Sequence, residues 1–182
     1  MVKMLQSHTR VREPIINSAL AGGMGWGALG GLVGTIAMDV VCMGVMAAGR
    51  LPALISFVTI GDTAARFFSL LGIQLAGGLP LGMAAHYVIG PLLGAIFGAV
   101  VAQVKIFRAG TLGKGTVVGI LFVEIVSQPM LAAAPILLRM TGAQVLLWFG
   151  VSFVMHMIFG AILGAAVSYG LRPRRADQQL AR

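Results

Sequence analysis

The chain of 182 residues is 58% apolar and only 10% charged, with a mean hydropathy of +0.96 and a formal net charge of +8. A soluble domain carries about 25% charged residues, so this composition excludes a soluble globular protein and, equally, a disordered one. The positive charges lie in short segments between and beyond the apolar stretches, which excludes nucleic-acid binding as a main role. We therefore expect an all-α integral membrane protein.

Four long apolar stretches predict four membrane-spanning helices. Each exceeds the roughly 20 residues that a helix needs to cross the hydrocarbon core. The spans are residues 22–48, 79–104, 111–138 and 145–171. They form a single membrane domain in which an arm (1–21) precedes a first helical hairpin (22–104), and a second hairpin (111–171) precedes a basic tail (172–182).

The distribution of Lys and Arg predicts the orientation of the spans. Ten of the 13 basic residues lie in the arm, the second loop and the tail, and three lie in the other two loops. The three are Arg50, Arg66 and Arg139. Because short cytoplasmic segments are enriched in Lys and Arg, both termini are expected in the cytoplasm. The basic tail is suited to anionic lipid headgroups of the bilayer.

The first external loop, residues 49–78, is apolar and longer than a connection needs, which predicts a short helix lying on the outer membrane surface. In this interpretation Asp62 caps the helix, which ends at Leu71, and Asp62 pairs with Arg66 four residues later. Phe67, Phe68, Leu70 and Leu71 then face lipid. A short re-entrant segment packed against the bundle is the alternative.

The chain also matches itself at two offsets, which predicts two tandem hairpins as parallel repeats. At an offset of 70, the second span matches the fourth, and at an offset of 85 the first span matches the third. The matched positions are Gly82, His86, Gly90, Gly94 and Gly98 with Ser152, His156, Gly160, Gly164 and Ser168, and Gly30, Gly34 and Asp39 with Gly115, Gly119 and Glu124. Small residues at every fourth position allow close helix approach, so Gly82, Gly90, Gly94, Gly98, Gly160 and Gly164 are predicted helix-packing residues. The second and fourth spans are the expected inner pair.

Four ionisable residues form a predicted layer near the middle of the membrane: Asp39, His86, Glu124 and His156. A charge at the bilayer centre costs about 2.5–3.5 kcal/mol on insertion scales, so such side chains face the interior and find partners. Met43 and Gln128 lie within about one turn of the acids and enlarge the candidate site. Pro91 and Pro129 each free one backbone carbonyl nearby.

Four interpretations of this layer stay open. Asp39–His86 and Glu124–His156 can be hydrogen bonds that hold each hairpin together. The two carboxylates and two imidazoles can bind a metal ion such as zinc, iron, manganese or copper. His86 and His156 can be axial ligands of a haem, a less favoured cofactor because two acids would flank it. A carboxylate beside a histidine can also relay protons or ions.

Enzyme chemistry has little support in the sequence. No HExxH or CxxC motif and no Ser-His-Asp order is present, and the single cysteine, Cys42, excludes an intrachain disulfide. The pattern from Gly25 to Gly30 fits G-x-G-x-x-G, but no strand precedes it, so it is interpreted as the glycine-rich entry of a membrane helix.

Helices that carry an acid after glycines alternate here with helices that carry H-x-x-x-G. The segments are His86 to Gly90, Gly119 to Glu124, and His156 to Gly160. In this pattern the chain resembles the uncharacterised four-helix bacterial inner-membrane proteins of the YagU type, over about residues 30–170. The resemblance implies a four-helix fold in the inner membrane of a prokaryote and implies no activity.

Two classes of function therefore remain open from the sequence. One is a membrane-embedded site that binds a metal ion or cofactor or relays protons through Asp39, His86, Glu124 and His156. The other is a structural or accessory subunit of a larger membrane complex, in which these residues only join helices. A homodimer is a further possibility, and the glycine stripe of Gly23, Gly27 and Gly31 is its predicted surface.

Overall fold

The computed structural model describes residues 12–104, 107 and 111–172, and the regular secondary structure of these residues is helical. The helices are α1 (Arg12–Ala48), α2 (Ile55–Leu70), α3 (Leu79–Gln103), α4 (Leu112–Leu138) and α5 (Gly142–Gly170). Four of them, α1, α3, α4 and α5, are long and apolar enough to cross a membrane. The all-α class and the four long apolar helices are confirmed, while the membrane orientation and the repeat stay predictions.

Some predicted basic segments lie outside the described residues. These are the arm up to residue 11, Lys105 and Arg108 of the second loop, and the tail from residue 173.

The helix ends follow from local capping. α4 begins after Thr111 and α5 begins after Thr141, and each threonine side chain accepts a hydrogen bond from a backbone N–H of the first turn. Thr141 and Gln144 form a reciprocal capping box, which explains why α5 begins three residues before the predicted apolar stretch. α1 begins at Arg12, so the last part of the predicted arm continues the helix.

α1 and α5 are the two inner helices of the bundle: α1 packs along α3 and α5, and α5 packs along α1 and α4, whereas α3 and α5 meet in only a small contact. The expectation that the second and fourth spans form the inner pair is wrong. α1 has two glycine faces. Gly23, Gly27 and Gly31 lie against α3, and Gly30 and Gly34 lie against α5. A run of glycines allows close approach to whichever helix it faces, so the double face of α1 places it between two neighbours.

The predicted packing glycines lie at three different interfaces. A Cβ atom on Gly90, Gly94 or Gly98 would overlap Thr35, Gly27 or Gly23 of α1 respectively. Gly160 and Gly164 contact α4 at Gly119 and Gly115, and Gly82 contacts α2 at Phe57 and Gly61. The backbones at these positions touch directly. The stripe of Gly23, Gly27 and Gly31 is covered by α3, so it is not the surface that a second copy could use.

α2 lies between the first two long apolar helices, in the loop where a surface helix is predicted. Its first turn is folded back against the bundle, as the distance of 3.4 Å between Oγ of Ser56 and Sγ of Cys42 shows. Cys42 lies more than one turn before Ala48, where α1 ends. α2 then runs antiparallel to the start of α3, with Phe57 against Gly82 and Gly61 against Gly78. The first turn of α2 is thus inserted between other elements, as in the re-entrant alternative.

Asp62 has a different role from the predicted one. It lies in the middle of α2, and its Oδ1 atom accepts a hydrogen bond from the backbone N–H of Gly78 at 2.7 Å. Among the described side chains, the ion pair found is between His86 and Asp39, so the expected Asp62–Arg66 pair is not formed. Asp62 therefore ties α2 to the residue that precedes α3.

Candidate functional site

The Asp39–His86 pair lies between α1 and α3. Nε2 of His86 donates a hydrogen bond to Oδ1 of Asp39 at 2.9 Å. The Asp39 side chain is 8% exposed and the His86 side chain is 17% exposed. The predicted contact between these two residues is confirmed. A carboxylate removed from water in this way is stabilised by a charged or hydrogen-bonding partner, which His86 supplies.

The glycine contacts of α1 and α3 fix the register of this pair. Gly31 lies against Gly90, and Thr35, one turn further along α1, occupies the space beside Gly90. The Thr35 hydroxyl donates to the carbonyl oxygen of Gly31 at 2.9 Å and is fully buried. Asp39 and His86 each lie one turn beyond this contact, and two helices in backbone contact bring their side chains within hydrogen-bonding range.

Two aromatic residues border the pair. The ring of Phe57, from α2, meets the imidazole of His86 edge to face, with 5.5 Å between ring centroids. Tyr87 follows His86 on α3, and its hydroxyl interacts electrostatically with Asp39. The position of Tyr87 next to His86 in the sequence is a signal that its side chain could reach the same layer. Phe57 gave no signal, because only the fold brings α2 to His86.

His156 of α5 is the third member of this region. It is close enough to His86 for the two imidazoles to interact electrostatically. Its Nδ1 atom is buried without a hydrogen-bond partner, and so is the second carboxylate oxygen of Asp39, Oδ2. Three helices, α1, α3 and α5, therefore contribute titratable groups to one part of the interior.

Glu124 does not join His156 as predicted. Both carboxylate oxygens of Glu124 are buried without a hydrogen-bond partner, so the expected Glu124–His156 bond is absent. The reason is register. Gly115 and Gly119 make the same contacts with α5 that Gly27 and Gly31 of α1 make with α3. Equivalent positions of α1 and α4 are therefore 88 residues apart, whereas the sequence alignment used 85.

With that offset, Ser127 occupies the position on α4 that Asp39 has on α1. A shift of three residues turns a helical side chain by about 60° and moves it about 4.5 Å along the axis. Ser127 is buried, and its hydroxyl donates to the backbone carbonyl of Glu124 at 3.3 Å. The second hairpin thus presents a hydroxyl where the first presents a carboxylate.

The two residues proposed to enlarge the site differ in burial. Met43 is half-buried, whereas Gln128 is exposed on α4 and takes no part in the interior layer. Neither provides a partner for the buried atoms that lack one.

The arrangement gives no support to the metal interpretation. Among the side chains that the structure describes, in residues 18–104, 107 and 111–172, no group of three or more His, Cys, Asp or Glu is placed to hold a metal ion. Because Nε2 of His86 is bonded to Asp39, a haem could be held only through Nδ1 of that ring, and the haem interpretation stays a prediction. A carboxylate hydrogen-bonded to an imidazole, with a second imidazole nearby, is in general an arrangement suited to proton binding.

Comparisons with protein-family models, with curated proteins and with solved structures find no match to this chain.

Proposed function

We propose that the chain is a multi-pass protein of a prokaryotic inner membrane, with both termini in the cytoplasm, in which Asp39, His86 and His156 form a proton-binding centre. The four long apolar helices support the membrane location. The excess of Lys and Arg in the arm, second loop and tail supports the orientation, and the resemblance to the YagU type supports the prokaryotic membrane. The similar glycine contacts of α1–α3 and α4–α5 support two tandem hairpins.

One observation carries the functional part of the proposal: the buried Asp39–His86 hydrogen bond leaves polar atoms unsatisfied beside it. A hydrogen bond that serves only to join helices stabilises the fold most when every buried polar atom around it also has a partner. Here Oδ2 of Asp39 and Nδ1 of His156 have no partner at hydrogen-bonding distance, and beyond His86 the Asp39 carboxylate has only the electrostatic interaction with the Tyr87 hydroxyl, although a polar atom costs free energy to bury alone. A proton that moves among these groups, or a water that carries it, makes use of the free atoms.

A proton suits these residues better than a metal ion does. Proton binding needs only one carboxylate and one imidazole at hydrogen-bonding distance, which Asp39 and His86 provide. A stable metal site needs three or more ligands, and the described residues do not bring three together. Elemental analysis by plasma mass spectrometry, on protein purified without chelators, tests this directly. Stoichiometric metal that is lost in His86→Ala/His156→Ala would contradict the proton proposal.

The main experiment is a pH titration of the native chain in lipid nanodiscs. The imidazole ¹⁵N signals of His86 and His156 are followed by NMR across the range in which carboxylates and imidazoles ionise. We expect the His86 signals to change with pH, and Asp39→Asn to alter that titration because it removes the carboxylate that accepts the imidazole proton. Glu124→Gln is the matched control. It converts an acid whose carboxylate oxygens are also buried to its amide, and since Glu124 has neither a hydrogen bond nor an electrostatic interaction with His86 among the described residues, the His86 titration should not change.

Histidine signals that stay constant over the whole pH range would overturn the proposal. The Asp39–His86 bond would then join α1 to α3 only, as expected for a structural or accessory subunit.

A further inference from the structure

The interior differs between the two sides of the Asp39–His86 pair. Towards the cytoplasmic end predicted for α1, the neighbours are glycines and large apolar side chains. Towards the end of α1 that leads into α2, the neighbours include a thiol, hydroxyls and a carboxylate. The two sides of the pair therefore differ in how readily water or a proton can reach it.

The side of the pair away from α2 is closed by backbone contact. A Cβ atom on Gly31, Gly27 or Gly23 would overlap the carbonyl oxygen of a glycine in α3. Thr35 is 0% exposed, and its hydroxyl is already bonded to the carbonyl of Gly31. No space for a water file exists between helices that approach this closely.

The contact of α1 with α5 is equally closed on that side. Gly34 lies against Phe159 and Gly30 against Leu163. Leu163 and Val167 are both 0% exposed. An apolar, fully packed layer offers a proton no hydrogen-bonding atoms along which to move.

On the other side of the pair, polar groups continue towards α2. Sγ of Cys42, one turn after Asp39, contacts Oγ of Ser56 at 3.4 Å. The Phe57 ring lies against His86, and the Asp62 carboxylate binds the N–H of Gly78 a turn further out. The inserted first turn of α2 therefore covers this side of the centre.

We infer that the centre exchanges its proton with the side of the membrane on which α2 lies, and that α2 is a cover that moves during exchange. This inference rests on the proposed proton-binding function. α2 is suited to local opening because it has only 16 residues and its far end is exposed at Phe67 and Leu70. Its attachment near the centre includes the Cys42–Ser56 contact, the glycine contacts with α3, the Phe57 ring and the bond from Gly78 to Asp62, and α2 also packs against α4.

A reversible crosslink tests the cover. Ser56→Cys places a second thiol beside Cys42, close enough for a disulfide that fastens α2 to α1. The rate at which the centre responds to a pH jump is followed by time-resolved infrared spectroscopy, in nanodiscs, before and after oxidation. We expect oxidation to slow the response by about tenfold or more and reduction to restore it. The matched control is Cys42→Ala/Ser56→Cys, which cannot form the disulfide and should respond equally under both conditions.

The result separates the inference from the function on which it rests. A centre that titrates at equilibrium but responds at the same rate in the oxidised and reduced forms overturns the cover and leaves the proton-binding function intact. A centre that does not titrate in either form overturns the function itself.

The side of access is tested with a membrane-impermeant thiol reagent, applied to spheroplasts and to inverted vesicles. Three single-cysteine proteins are compared: the native chain with Cys42, and Ser69→Cys and Thr35→Cys in a Cys42→Ala background. Ser69 is exposed near the end of α2 and marks the side on which α2 lies. We expect Cys42 to react from the same side as the Ser69→Cys protein and Thr35→Cys to react from neither side. Labelling of Cys42 from the opposite side or from neither, or labelling of Thr35→Cys, would overturn the inference.

Discussion

Trp148 of α5 donates its indole N–H to the backbone carbonyl oxygen of Leu131 in α4, at 3.0 Å. This is the carbonyl that would accept a hydrogen bond from residue 135 in a regular helix, and residue 135 is a proline without an N–H. Inside a bilayer no water is at hand to satisfy such a carbonyl. The side chain of one helix thus completes the backbone hydrogen bonding of its neighbour.

Trp148→Phe is expected to destabilise the protein by about 1–2 kcal/mol, because it keeps an aromatic ring but leaves the Leu131 carbonyl unsatisfied. The free energy of unfolding can be measured by steric trapping in bicelles. Pro135→Ala supplies the missing backbone N–H, so in that background the same Trp148 substitution should cost less. Equal losses in the two backgrounds would mean that the indole bond does not compensate for the proline.

The Asp39–His86 bond predicts strong coupling between two substitutions. Asp39→Leu and His86→Leu should each destabilise the fold by about 1–3 kcal/mol, since each leaves a buried polar partner without its hydrogen bond. The double variant should lose less than the sum of the two, because it removes both polar groups. A double-mutant cycle on unfolding free energies gives the coupling. Additive losses would show that the two side chains do not interact in the bilayer.

The contact of Asp62 with Gly78 gives a prediction for α2. Asp62→Ala should expose the Gly78 amide and the first turns of α2 to exchange, because the carboxylate holds that N–H. Arg66→Ala, in the same helix, removes the partner that the sequence suggests but the fold does not use. Hydrogen–deuterium exchange measured by mass spectrometry should therefore rise in the first variant only. A similar rise in both variants would indicate that Asp62 and Arg66 do form an ion pair in the bilayer.

The parts of the fold that sequence reasoning anticipated are those that bilayer dimensions constrain. Span length follows from hydrocarbon thickness, so seven of the eight ends of the four spans are predicted to within three residues. The exception is the start of α1, which lies ten residues before the predicted span. The Asp39–His86 contact was predictable for a related reason. Both residues lie at similar distances from the loop that joins their helices, and a buried acid has few possible partners.

The parts that were missed concern the choice of neighbour. Glycines four residues apart mark a helix face, but they do not say which helix covers it, so the sequence does not predict that α1 and α5 are the inner pair. The alignment at an offset of 85 matched Glu124 to Asp39 by residue type. Backbone contact selects an offset of 88, in which Ser127 takes that position, because contact geometry depends on glycine pairs and not on the acid.

The glycine contacts of α1 give the sharpest test of the bundle, since two glycines lie two residues apart in the same helix with opposite surroundings. A Cβ on Gly27 would overlap the backbone carbonyl of Gly94, which has no flexible side chain that could give way. A Cβ on Gly25 meets nothing within 4 Å. Gly27→Ala should therefore separate α1 from α3, and Gly25→Ala should not.

We expect Gly27→Ala to cost at least about 2 kcal/mol of unfolding free energy, as overpacking of a close contact does, and Gly25→Ala to cost nothing measurable. Separation of α1 from α3 at Gly27 should also lengthen the Asp39–His86 bond, which lies further along the same two helices. The ¹⁵N signals of His86 in nanodiscs should then change in Gly27→Ala and stay as in the native chain in Gly25→Ala. If both alanine variants kept native stability and native His86 signals, the backbone contact between α1 and α3 could not be what positions the pair.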